Sequence, residues 1–192
     1  MTFQLVRLSD VAPVPWRNGG GVTRELAVSP AQGDWHWRMS VAEVEASGPF
    51  SRFDGIDRWF AVLEGAGVML DVQGEANREV HRLTQASAPL YFDGGATTDC
   101  TLLDGQTQDF NLMVRRGSTP ARMLRINVPT HMTPDAPKII AAYAINTGAS
   151  VLFDTQTMHI PPQSLGWTTV PAGARVQIVA EQALWMEIPL WP

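Results

Sequence analysis

The chain has 192 residues, of which 45% are hydrophobic and 17% charged, with a formal net charge of −5. That is enough apolar residue to bury a core, and it leaves no basic surface for a phosphate backbone, so general disorder and nucleic-acid binding are excluded. No apolar run approaches the roughly 20 residues that span a bilayer, the single cysteine, Cys100, cannot close an internal disulfide, and no charged segment followed by an apolar one opens the chain; the expectation is a cytoplasmic protein with no membrane partner.

The 16 glycines and 14 prolines are spread evenly and cut the sequence into short pieces, which leaves no room for long helices. Between the breaks, β-type segments recur at Trp35 to Val44, Arg58 to Leu63, Val68 to Val72, Pro89 to Phe92, Thr98 to Leu103, Asp109 to Arg115, Met123 to Val128, Val151 to Asp154, Arg175 to Val179 and Leu184 to Ile188. The dipeptides Asp54-Gly55, Asp93-Gly94 and Asp104-Gly105 supply positive φ for reversals, and Asn18-Gly19-Gly20-Gly21 supplies a looser bend. Lys138 to Ile145 is the one plausible short helix, although so apolar a run also suits a buried strand. Gly65 to Asp71 is echoed by Gly148 to Asp154, and each copy is followed by a second glycine turn into a returning strand. An all-β chain built from two jelly-roll-like halves is expected.

The richest chemistry lies in Asp109 to Arg116. In an extended strand Asp109, Asn111, Met113 and Arg115 share one side, and Phe110, Leu112 and Val114 the other, which is expected to face the core. An acid, an amide and a guanidinium in a row suit recognition of a carboxylate beside an amide or imidazole donor; a solvated outer face would read the same way. Arg24 shares its expected face with Leu26 and Val28, and Arg58 with Phe60 and Val62, so each stands at the end of an inward row. Arg24, Arg58 and Arg115 or Arg116 are therefore candidates for a positive lining, with pairing to some of the 19 carboxylates as the alternative. Neutral substitution of Arg24 is expected to abolish ligand binding and spare the fold. Trp16, beside Asn18, is placed to stack on a planar ligand. Trp35, Trp37 and Trp59 read as core or sheet-edge residues, while Trp185 and Trp191 could close a barrel end or meet a second subunit, which keeps a homodimer open. Cys100 reads as a small buried hydrophobe. No Gly-x-Ser-x-Gly elbow occurs, and the Asn18 to Gly21 bend lacks the Lys-Ser/Thr of a phosphate loop.

Three blocks carry a family resemblance: Pro15-Trp16-Arg17-Asn18-Gly19-Gly20-Gly21-Val22-Thr23-Arg24-Glu25-Leu26; Gly48-Pro49-Phe50-Ser51 with Gly55-Ile56-Asp57-Arg58; and Asp104-Gly105 followed by Asp109 to Gly117. In order and spacing they resemble the HutD/Ves family over residues 13 to 117. The resemblance implies a cupin-type fold with two β-barrels in one chain, divided here as 1–117 and 118–192, the second sharing strands with the first. It also implies an accessory role in histidine utilisation, with a small acidic metabolite such as urocanate or formylglutamate as ligand, and it adds Gly19, Gly20 and Thr23 to the candidate ligand-binding set. Cupin enzymes commonly hold a divalent ion with two histidines at i, i+2, a nearby carboxylate and a later histidine. Here His36, His81, His131 and His159 stand far apart and no His-x-His occurs, so neither a metal nor another cofactor is expected.

Three functions follow from these residues. The leading one is a non-catalytic sensor of a histidine-breakdown acid, with arginine anchoring a carboxylate and Asp109 and Asn111 reading the other end. The second is a metal-independent isomerase or amide hydrolase with Asp109 or Glu25 as general base. The third is an interaction module whose aromatic residues bind a partner.

Overall fold

A computed structural model describes residues 2–117 and 120–190. Among these, the regular elements are nineteen strands and one short 3-10 turn, Leu8–Asp10. Residues 12–116 form one compact unit, and the described residues of 1–11 and 117–192 form another.

The first unit holds β2 (Val14–Pro15), β3 (Gly21–Ser29), β4 (Trp37–Val44), β5 (Gly48–Pro49), β6 (Ile56–Glu64), β7 (Val68–Gln73), β8 (Arg78–Leu83), β9 (Leu90–Asp93), β10 (Thr97–Leu102) and β11 (Thr107–Arg115). They pair into a sheet ordered β2-β3-β4-β11-β6-β9 and a second ordered β5-β10-β7-β8. The second unit holds β1 (Gln4–Arg7), β12 (Arg122–Ile126), β13 (Thr130–Met132), β14 (Lys138–Ala144), β15 (Ala149–Phe153), β16 (Gln156–Ile160), β17 (Ser164–Val170), β18 (Val176–Ala180) and β19 (Ala183–Pro189), in sheets ordered β1-β17-β14-β19-β12 and β13-β18-β15-β16.

These orders reveal a repeat. The run β4-β11-β6-β9 has the connectivity of β12-β19-β14-β17, and β5-β10-β7-β8 that of β13-β18-β15-β16, so strands β4 to β11 and β12 to β19 trace one eight-strand jelly roll twice. The echoed segments, Gly65 to Asp71 and Gly148 to Asp154, lead into or carry the equivalent strands β7 and β15. β1 adds to the edge of the second unit, pairing Gln4–Arg7 with Ser164–Trp167, although a division at 117/118 keeps it with the first.

Each of the ten expected segments contains a strand. Lys138 to Ile145 is strand β14 rather than a helix: it is hydrogen-bonded on both sides, by β17 and β19, and Ile139 to Ala144 are all buried, so no alternation marks it. Gly55 and Gly105 have positive φ as expected. Gly94 does not; a Cβ there would lie 2.9 Å from the Ile56 carbonyl oxygen, so close backbone packing explains it instead.

The two interiors differ in chemistry. In the second unit the interior is apolar, with Ile140, Ala142, Val151, Phe153, Ile178 and Trp185 among its buried residues. Trp185 is 2% exposed, and Trp191 lies outside the described residues. In the first unit an apolar cluster of Val62, Val68, Leu70, Phe92 and Cys100 fills one end, and polar side chains enter the rest.

Candidate ligand-binding site

Three central strands of the first unit set out the site as a lattice. Strand parity points Arg38, Ser40, Ala42 and Val44 of β4 to one side. The antiparallel register aligns them with Met113, Asn111, Asp109 and Thr107 of β11, and these with Arg58, Phe60 and Val62 of β6. The outermost rung is Arg38–Met113–Arg58, the next Ser40–Asn111–Phe60, and the third Ala42–Asp109–Val62. A cavity of about 530 Å³ opens on the first two rungs, walled by Trp16 and Phe50 and edged by Arg17, Asn18 and Thr23.

Arg58 is its chemical centre. It is 6% exposed, and its Nε and Nη2 donate to one acceptor, Asn111 Oδ1, at 3.1 and 2.7 Å. The guanidinium carbon sits 4.9 Å from the Phe50 ring centroid and 5.3 Å from that of Phe92, so aromatic rings bracket the cation. Burial, assisted by the charge of Arg38, pulls this guanidinium down from 12.5 to about 10, which keeps it positive at neutral pH. Its hydrogen-bond partner is a neutral amide, so the charge is held without an ion-pair contact.

Trp16 Nε1 donates to Thr23 Oγ1 at 2.7 Å, and its ring meets Phe50 edge-on, with centroids 6.2 Å apart. Behind this pair lies a smaller recess of about 240 Å³, lined by Gly19 and Gly20, in which Asn18 Oδ1 accepts from the Gly20 amide at 3.1 Å. Asp109 is wholly buried below Asn111. Thr107 Oγ1 donates to its Oδ2 at 2.7 Å, while Oδ1 has no hydrogen-bond partner among the described residues. Burial pushes this carboxyl up from 3.8 to about 7, against the Thr107 bond and the charge of Arg58. Burial likewise pushes the Cys100 thiol up to about 12, with the charge of Asp109 adding to it, so this cysteine is an inert core group.

Trp16, Asn18, Thr23, Arg58 and Asn111 of the expected set therefore line one cavity, and Gly19 and Gly20 the recess beside it. The other arginines are engaged elsewhere. A bulge between Glu25 and Ala27 breaks the alternation that linked Arg24 to Leu26, and Arg24 Nη1 binds Glu43 Oε1. Arg115 donates to the Trp35 carbonyl at 3.3 Å, and Arg116 binds Asp57 and Asp93 at 2.9 and 3.0 Å. The two candidate bases, Asp109 and Glu25, do not line the cavity. On β11 Asp109 to Val114 are all buried, and it is Asn111 and Met113 of the polar row that face the cavity. Sequence reasoning missed Arg38, whose Nε lies 2.9 Å from Glu25 Oε2, and Phe50 as the ring over Arg58. Arg38 and Ser40 alternate with Trp37, Met39 and Val41, the same signal that singled out Asn111. Among the described residues no group of three or more His, Cys, Asp or Glu could hold a metal ion, so the side chains present do not fit the ion common in cupins. Among the described residues no helix is long and apolar enough to cross a membrane.

The HutD family model matches residues 8–186. The chain belongs to the HutD family. It is 38% identical over 113 residues to a Pseudomonas putida protein described as an uncharacterized 21.2 kDa protein in the hutC 3′ region, a match covering 58% of this chain and 57% of that one. Protein Ves of Citrobacter koseri is 39% identical over 119 residues, covering 59% and 60%. The matches to these curated relatives thus span less than two thirds of their length. Among solved structures, HutD from Pseudomonas fluorescens SBW25 (formate condition) is similar across both whole chains, with TM-score 0.83 and 25% identity. A conserved protein of unknown function from Pseudomonas aeruginosa PAO1 is similar with TM-score 0.85 and 27% identity over 99% of this chain and all of that one. Oxalate decarboxylase of Bacillus subtilis shares the bicupin fold alone, with TM-score 0.69 and 9% identity over 96% of this HutD-family chain and 77% of the enzyme.

Proposed function

We propose that this HutD-family protein is a cytoplasmic accessory or regulatory component of histidine utilisation that binds a small acidic metabolite, such as urocanate or formylglutamate, in the cavity of its first barrel. The observation that carries this reading is Arg58: a buried cation facing a cavity of about 530 Å³ and held by an amide oxygen instead of a carboxylate. A ligand carboxylate on that guanidinium would complete a charge-assisted hydrogen bond in a partly desolvated site, where such bonds contribute about 1.5–3 kcal/mol. Trp16, Phe50 and Phe60 offer flat apolar walls for the carbon skeleton, and the Ser40 hydroxyl and Asn111 amide offer polar groups for orientation. The pathway part of this reading is supported by a relative from Pseudomonas putida that is described by its place in the hutC 3′ region. The second barrel, with its apolar interior, serves in this reading as scaffold.

Isothermal titration calorimetry with histidine, urocanate, formiminoglutamate, formylglutamate and glutamate tests the proposal. Saturable binding of an acid without product, lost in Arg58→Gln, is the expected result. Product formation would make the protein an enzyme, and no heat with any of the acids would overturn the ligand reading.

A further inference from the structure

Asp109 is unused by the binding reading above. It stands one rung deeper than Asn111 on the same inward row, fully buried, with one carboxylate oxygen hydrogen-bonded to Thr107 and the other without a hydrogen-bond partner among the described residues. Its rung neighbours are apolar: Ala42 on β4 and Val62 on β6. The titratable group acting on it is Arg58 from β6; Asp109 in turn acts on the Cys100 thiol of β10, and Arg38 of β4, two rungs away, acts on Arg58. No hydrogen bond joins Arg58 to Asp109, because Asn111 lies between them and takes both the Nε and Nη2 protons. The interior thus holds a cation and an acid that feel each other only through space, and the cation's field adds to the Thr107 hydrogen bond in favouring the acid's charged form.

An anion arriving at Arg58 would offset that field. Resting on the reading of the cavity as an anion site, we propose that Asp109 makes binding proton-coupled: an anion that docks on Arg58 raises the share of molecules in which Asp109 holds a proton, and that proton is drawn from solvent. Where Asp109 starts ionised, the proton taken up offsets the negative charge that the anion brings. The site thereby selects for the acid as a whole, and acidification strengthens its grip. In the empty protein the carboxyl titrates at about 7, so near neutrality roughly half the molecules already carry the proton. Binding should therefore take up a fraction of a proton near neutrality, and affinity should fall as pH rises above it.

The test uses the full chain and N-formylglutamate, whose carboxylates stay ionised throughout this range. Heats of binding in phosphate and in Tris, buffers with very different ionisation enthalpies, give the number of protons taken up. The expected result is uptake that rises with pH in the parent protein and vanishes in Asp109→Asn, whose affinity no longer depends on pH. Binding without buffer dependence in the parent, or uptake undiminished in Asp109→Asn, overturns the coupling. If N-formylglutamate gives no heat, the reading of the cavity fails for that acid, and the coupling is decided without ligand by Asn111→Asp, which places an anion on Arg58 covalently. The ¹³C-carboxyl resonance of Asp109 should then titrate at least one pH unit higher, as it should in Arg58→Gln, and an unmoved midpoint in both variants overturns the coupling.

Discussion

Asparagine at position 109 should change how stability responds to pH. In the native protein the Asp109 carboxyl is pushed from 3.8 to about 7; in the unfolded chain it ionises near the usual value of about 3.9. Below that value both states hold the proton and the group is neutral in its effect. As pH rises, the unfolded chain ionises freely while the folded one does not, and the folded state loses about 1.36 kcal/mol per pH unit until the native carboxyl ionises in turn. The stability present in acid is thus lost between about pH 4 and pH 7, some 4 kcal/mol in all, of which about 2.5 kcal/mol falls between pH 5 and pH 8. Asparagine does not titrate. Urea unfolding followed by tryptophan fluorescence should show the advantage of Asp109→Asn over the parent growing by about 2.5 kcal/mol across that interval. Any constant penalty for the buried amide cancels, and Asp71 and Asp93, held low by Arg78 and by the Gly95 amide, act at more acid pH in both proteins. Parallel stability curves for the two proteins would refute the reasoning, because they would mean that Asp109 ionises as easily inside the barrel as in water.

Arg58→Gln should weaken carboxylate binding by about 10- to 100-fold, the loss of one charge-assisted hydrogen bond, as read by calorimetry at fixed pH. Arg24→Gln should leave that affinity unchanged and lower stability by less than about 1 kcal/mol in urea titrations, because its partner Glu43 is half-exposed. Gly67→Ala should destabilise the first barrel by about 3 kcal/mol or more: φ is +108°, and the new Cβ would stand 2.1 Å from the Leu83 carbonyl oxygen. A thermal midpoint within about 2 °C of the parent would show that the β6–β7 turn can relax against the end of β8.

Much of the fold was legible because these strands alternate and are punctuated by Gly and Pro. Among the strands outside the ten expected segments, four lack one signal or the other, and one of these, β14, is the run left open between a helix and a buried strand. β2 and β5 are two residues long, β8 reads Arg-Glu-Val-His-Arg-Leu with most of it exposed, and β14 is buried on both faces and so shows no alternation. In the site, parity alone placed Asn111 and Met113 beside each other and put Arg58 in line with Phe60. Parity misled at Arg24, where a single bulge reverses which side a residue faces. No sequence pattern says that Phe50, on a short loop after a two-residue strand, lands over a guanidinium from β6, because that contact is made by tertiary folding alone.

The pairing of β1 with β17 bears on how the chain is made. Gln4–Arg7 leaves the ribosome some 160 residues before Ser164–Trp167, its partner. Throughout that interval all of residues 12–116 can emerge and close, while the early strand, most of its side chains polar or exposed, waits without a template. Vectorial synthesis then completes the first unit before the second exists, and a bulky amino-terminal fusion would be felt in the half that is translated last.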